Sequence, residues 1–196
     1  MPRFRTEKDS LGSKKVPSDA LYGVQTARAI ENFPISGVTI FPEFIRASAE
    51  VKRAAALANV ASKMLDKNIG SAIVRAAREI EQGKWDSQFL VDIFQAGAGT
   101  SHNMNVNEVI ANRASKMCKK KIHSHDHVNM SQSTNDFYPT TMRVCAYQML
   151  RPLIRELEDL SLSFSKKARQ FREVKKSGRT HLQDAVPMML GQEFGG

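Results

Sequence analysis

Cysteine is scarce in this chain. Cys118 and Cys145 are the only two in 196 residues. They form no C-x-x-C pair or other metal-ligand spacing, which argues against a disulfide scaffold or a cysteine metal site and leaves free thiols of a reducing compartment. No run approaches the roughly 20 apolar residues that a membrane span needs. The opening MPRFRTEKDSLGSKK lacks the apolar centre of a signal peptide, and the expected location is the cytoplasm. Aromatic residues make up 7% of the chain and do not interleave with its basic residues. No nucleic-acid motif is recognisable, although the formal charge is +9. The densest basic run, Lys119-Lys120-Lys121 with His123, His125 and His127 behind it, therefore reads as a solvated face beside an anionic small-molecule site rather than a nucleic-acid surface. Repeats and low-complexity tracts are absent. Strand signals are sparse, the best being Gly37 to Ile40.

Helical periodicity is abundant. The hydrophobic share of 41% and charged share of 25% are those of an ordinary globular chain. Residues 1–40, with Pro2, Pro17 and Pro34, read as irregular around one short helix between Ser18 and Asn32. From Pro42, Phe44, Ala47, Val51, Ala54, Ala55, Ala58, Ala61 and Leu65 recur at helix spacing, ending near Lys67. A second helix spans about Ile69 to Gln82 and stops at Gly83. A third begins near Asn105, with Glu108 placed to cap it. The longest runs from Met142, with Ala146, Met149, Leu153, Leu157, Leu160, Phe164, Ala168, Phe171 and Val174 as one core stripe. Its 33 residues would extend about 50 Å, which calls for a long bundle. Pro139 falls in its first turn, and Pro152 should bend it or mark a late start. The fold class is all-α, with a small N-terminal domain over 1–138 and the start of a central bundle over 139–196. The pattern ends at LGQEFGG in mid-stripe, as expected for the front of a longer protein.

Three polar, glycine-punctuated segments interrupt this frame: GAGTSHNMNVNEVIANRA from Gly97, HVNMSQSTND from His127 and GRTHLQDAVPMMLGQE from Gly178. Short polar side chains compete with the backbone inside helices, so the clusters read as loops on a helical scaffold. In the first, Gly97 and Gly99 open the backbone, while Thr100, Ser101 and Asn103 supply donors; a capped turn is the plainer reading. In the second, Ser133, Thr134, Asn135 and Asp136 precede the long helix. They could be a simple N-cap, or an anion site using the free N–H groups and dipole of that helix. In the third, Thr180 and His181 sit with Gln183 and Asp184, where a His can polarise a carboxylate or relay protons. Neutral donors of this kind suit a small carboxylate and the charge that develops on it. Loops at opposite ends of so long a helix cannot meet within one subunit. Sites shared between copies, and hence a homo-oligomer, are the preferred expectation.

Together these segments resemble the aspartase/fumarase superfamily, in its aspartate ammonia-lyase and class II fumarate hydratase branch. The resemblance covers essentially the whole chain, beginning with DSLGSKKVPSDALYGVQTARAIENFPIS. It implies a homotetramer with a 20-helix core and active sites built from three subunits. It implies reversible elimination from a dicarboxylate to give fumarate, with no cofactor and no metal. It carries substrate-binding roles onto Thr100, Ser133, Thr134 and Asn135, with Ser101 and Asn103 beside them. Thr180 and His181 match the Thr-His pair that binds a carboxylate and, in many fumarases, has a proton role. Two departures stand out. The Gly-Ser-Ser loop with the family's general base, and the Lys and Asn after it, are missing from these residues, so this chain alone should not turn over. The family's accessory anion site reads H-P-N-D where this chain has His123-Ser124-His125-Asp126. Ala98, AIENFPIS, QSTND and DAVPMMLGQEF favour aspartase, with L-aspartate and fumarate as ligands. Class II fumarase, acting on malate, is the alternative, and His181 points weakly toward it. A non-catalytic helical fragment is a remote third reading.

Overall fold

Charged residues, not apolar ones, build the first element. The computed structural model describes residues 3–95, 97 and 99–196. Its strands β1 (Phe4–Asp9) and β2 (Gly12–Pro17) pair antiparallel, with Phe4 opposite Pro17 and Asp9 opposite Gly12. Arg5 anchors the hairpin by donating to the carbonyls of Pro17, Ala20 and Tyr22, each at 2.7 Å. Arg28 forks onto Asp9 with two bonds of 2.9 Å. The expectation of an irregular stretch over 1–40 is thus corrected. Both faces of the hairpin carry charges, so no apolar alternation marks it, and only Val16 is fully buried. Gly37 to Ile40 contributes a single bridge, Thr39 to Asp92.

The chain divides into two compact units, Met1–Ala146 and Tyr147–Gly196. In the first, α1 (Val24–Asn32), α2 (Pro42–Ala61), α3 (Lys67–Glu81) and α4 (Thr100–Cys118) surround the core. α2 starts with Pro42 at its first position, where a missing N–H costs nothing. It ends at Ala61, six residues before the expected Lys67. Its buried face also differs from the alanine stripe. Phe44, Ser48, Lys52, Ala56 and Asn59 are buried, whereas Ala54 and Ala58 are exposed. α3 is capped by Asp66, whose side chain accepts from Asn68 N and Ile69 N at 3.0 Å. It buries Ala72, Ile73, Ala76, Ala77 and Ile80 at steps of three and four, and Gly83, at φ +75°, turns the chain away. Between α3 and α4, Glu79 binds Arg113 at 2.6 and 2.9 Å and accepts from Trp85 Nε1 at 2.8 Å. These contacts, led by the Arg113 bonds, hold the Glu79 carboxyl down to about pKa 2.

α4 begins at Thr100, not at Asn105. Asn103, Asn105 and Asn107 lie inside it and are buried. Glu108 does not cap its own helix. Its carboxylate accepts Gly23 N at 2.9 Å, Gln25 N at 2.9 Å, Thr26 N at 3.0 Å and Thr26 Oγ1 at 2.6 Å, so it closes the first turn of α1. Burial raises its pKa, and these four bonds oppose the rise.

α5 (Thr134–Gln170) starts and ends earlier than expected, placing Pro139 in its second turn, and it continues through Pro152. Phe171 and Val174 fall beyond it. In the second unit they meet α6 (Leu190–Gly195): Phe171 and Phe164 pack on Phe194, and Val174 O accepts Leu190 N at 2.7 Å. The remainder of that unit is an antiparallel hairpin of β3 (Lys175–Thr180) and β4 (Gln183–Met189). The third polar segment is therefore largely strand and turn within a chain that is mainly helical.

Candidate active site

The first two polar segments are helix N-termini, and their side chains meet. Gly99 precedes α4 at φ +84°, and a Cβ there would lie 2.1 Å from the Tyr138 ring of α5. Glycine is required on both counts. Asn103 Nδ2 then donates to Thr134 Oγ1 at 2.8 Å, joining the first turns of α4 and α5. Each helix start carries backbone N–H groups without helical partners and the positive end of a dipole. Ser133 caps α5: its Oγ accepts Asn135 N at 3.2 Å and its carbonyl accepts Phe137 N at 2.9 Å. The N-cap reading of Ser133 is thus what the geometry shows.

The predicted residues stand at different depths. Thr100, Ser133 and Asn135 are exposed, and Thr134 is half-buried. Ser101 and Asn103 are buried. Thr100 and Ser101 line a groove of about 290 Å³ with Gln25, Arg28 and Asn32. Thr180 and His181 belong to the second unit and are exposed on its hairpin. His181 and Leu182 form a two-residue turn with φ of +50° and +63°. Positive φ at both places is what a type I′ turn demands, and Asn-Gly is its usual occupant. Neither His nor Leu is at ease there, which is backbone strain of a kind that clusters at functional positions.

Beneath the joined helix ends lies a polar layer. Lys52 Nζ donates to Asn129 Oδ1 and Gln132 Oε1, both at 3.0 Å, and sits 4.0 Å from the centre of the Phe137 ring. Burial lowers its pKa to about 7. Two turns further along α2, Asn59 Nδ2 donates to Met130 O at 2.9 Å. His102 is fully buried; burial first, and the Lys52 charge second, bring its pKa to about 3. Ser48 Oγ donates to Phe44 O at 2.8 Å, so at 2.8 Å it accepts from His102 Nε2, and the neutral ring carries its proton there.

A family model described as Lyase matches residues 12–196. The aspartate ammonia-lyase of a Bacillus species is 54% identical over 97% of this chain and 42% of its own length. The class II fumarate hydratase of Halobacterium salinarum is 52% identical over 98% of this chain and 42% of its own. Among solved structures, the Brucella melitensis fumarate lyase:delta crystallin superposes with a TM-score of 0.93 at 48% identity, covering 98% of this chain and 47% of that one. The chain belongs to the aspartase/fumarase superfamily of lyases. It spans less than half the length of these relatives.

Sequence reasoning passed over Lys52, His102 and Asn129. A signal for Lys52 was present. Counting by fours from Phe44 reaches Ser48, Lys52 and Ala56, all buried, but a search for apolar periodicity skips polar members of a face. His102 and Asn129 carried no such mark, because each is placed by partners distant in sequence. Ala98, one of the residues favouring aspartase, lies outside the described residues. His123 and Asp126 approach to 3.5 Å, and His123 N donates to His127 Nδ1 at 2.9 Å across a π-helical turn, Ser124–Val128. No helix of the described residues is long and apolar enough to cross a membrane.

Proposed function

We propose that this protein is a cytoplasmic aspartate ammonia-lyase, which eliminates ammonia from L-aspartate to give fumarate and runs the reverse addition. The observation that carries the reading is the meeting of two helix N-termini through Asn103 and Thr134. Thr100, Ser133, Thr134 and Asn135 are the substrate-binding residues, with Ser101 and Asn103 fixing the first turn beneath them. Removing a proton beside a carboxylate builds a dianion on it. Fixed hydroxyl, amide and helix-end donors stabilise that dianion more than the ground state, which is the condition for catalysis. No cofactor is needed for this step.

Thr180 and His181 bind the second carboxylate, presented by a neighbouring copy in a homotetramer. The exposure of both, Thr180 at the end of β3 and His181 on the strained turn, supports this role. The general base lies in sequence outside this chain. Aspartase is preferred to class II fumarase for AIENFPIS, QSTND and DAVPMMLGQEF; relatives of both activities are similarly close. The test is to give the full-length protein L-aspartate and L-malate separately, following fumarate absorbance and ammonia. Fumarate with equimolar ammonia from aspartate is the expected result. Efficient fumarate formation from malate, with none from aspartate, would establish fumarase instead.

A further inference from the structure

Lys52 is the largest fully enclosed side chain among the described residues. No carboxylate of those residues forms an ion pair with it, and its contacts are two amide oxygens and one aromatic ring. Enclosing an amine in this way is costly, and a methionine would fill a similar volume without that cost. The hydrogen bonds show what the amine does. Asn129 Oδ1 accepts Lys52 Nζ at 3.0 Å, Asn107 Nδ2 at 3.1 Å and Asn103 Nδ2 at 3.3 Å. Three donors on one oxygen fix the Asn129 amide, whose own Nδ2 donates to Gln132 O at 3.1 Å and closes the 129–132 turn. The Gln132 side chain is likewise held, accepting from Lys52 and donating to Val128 O at 2.9 Å. Asn103 has two N–H groups. One points to Asn129, and the other donates to Thr134 Oγ1 at 2.8 Å. With that oxygen already accepting, the Thr134 hydroxyl is set to donate its own proton.

We propose that Lys52 is a positioning residue of this site: through Asn129 and Asn103 it sets the Thr134 hydroxyl as a donor to the substrate carboxylate. The inference rests on the substrate reading above. Linked polar chains of this type act as a unit, so removing one member should make removal of the next nearly silent. The test is a double-mutant cycle in the full-length protein, using Lys52→Met, Thr134→Val and the pair, with kcat, KM and Tm measured for each. Lys52→Met should lower kcat/KM by about 10- to 100-fold, the scale of one misdirected donor to an anion. Added to Thr134→Val it should cost less than about 3-fold more. Its Tm should hold or rise, because a buried amine with no ion-pair partner among the described residues is gone, while Asn129 Oδ1 keeps its two amide donors. If Lys52→Met does not fold, Lys52→Gln, which keeps a donor nitrogen, takes its place in the cycle. Multiplicative losses in the pair, with a lowered Tm, would overturn the proposal, as would failure of both variants to fold. Wild-type protein inactive on aspartate and malate alike would remove the substrate reading and this proposal together. An active wild type with multiplicative losses removes this proposal alone.

Discussion

At the scale of single residues, the decisive side chains reach across to other elements. Glu108 supplies the cap that Gly23 cannot, since glycine has no side chain to accept the N–H groups of α1. Glu108→Ala would leave three backbone donors unpaired in largely buried surroundings. The expected loss is about 2–4 kcal/mol of stability, with Glu108→Gln milder, measured by denaturant unfolding. A change below about 0.5 kcal/mol would show that solvent satisfies α1 equally well. His102 sets a pH dependence. Its folded pKa of about 3 lies below its ordinary value of 6.5, so between those values the unfolded chain holds a proton that the folded chain lacks. Stability from this group is complete above about pH 6.5 and falls as pH drops toward 3. His102→Gln should flatten the wild-type slope between pH 6 and 4 in thermal melts. An unchanged slope would mean that the ring titrates normally.

Among the elements, the β3–β4 hairpin and α5 carry the main expectations. Leu182 is 93% exposed at positive φ, so no packing compensates its strain in this chain. His181, its neighbour, is also exposed. A merely structural His changed to Ala should lower Tm and leave kinetics alone. A carboxylate-binding His should lose roughly 10- to 1000-fold in kcat/KM with Tm little changed. The second outcome is expected, with His181→Gln retaining more activity than His181→Ala because an amide still donates. Steady-state kinetics and melting of both variants separate the two. α5 departs from expectation in another way. Its stripe was read as core, yet every residue from Ala146 to Lys167 is exposed in the single chain. Met149, Leu153, Leu157, Leu160 and Phe164 are each between 45% and 54% exposed.

For the molecule as a whole, that uncovered stripe is the strongest argument for assembly. Apolar surface of this extent is rare on monomers. A homotetramer would bury it in a bundle of α5-like helices. The full-length protein should therefore elute as a tetramer in light scattering. Leu157→Glu should shift it to smaller species while the first unit keeps its helical circular dichroism, because Leu157 lies outside that unit. A monodisperse wild-type monomer would refute the bundle.

Periodicity and local chemistry determined the helical class, the positions of α2, α3 and α5 within several residues, the stop of α3 at Gly83, and the three polar segments as the places of interest. Those signals are local: a helix face repeats every three or four residues, and a cap lies within one turn of what it caps. Tertiary structure alone decided the rest. Asn103, Asn105 and Asn107 violate helix propensity, and their amides find Asn129, Thr134 and the Gln88 carbonyl across the fold. Glu108 caps a helix more than 80 residues earlier because burial brings the two together. Lys52 shares a buried face with Phe44 and Ala56 because two loop amides receive its amine. Each depends on partners remote in sequence, and a polar group's preference inverts once a fixed partner replaces water.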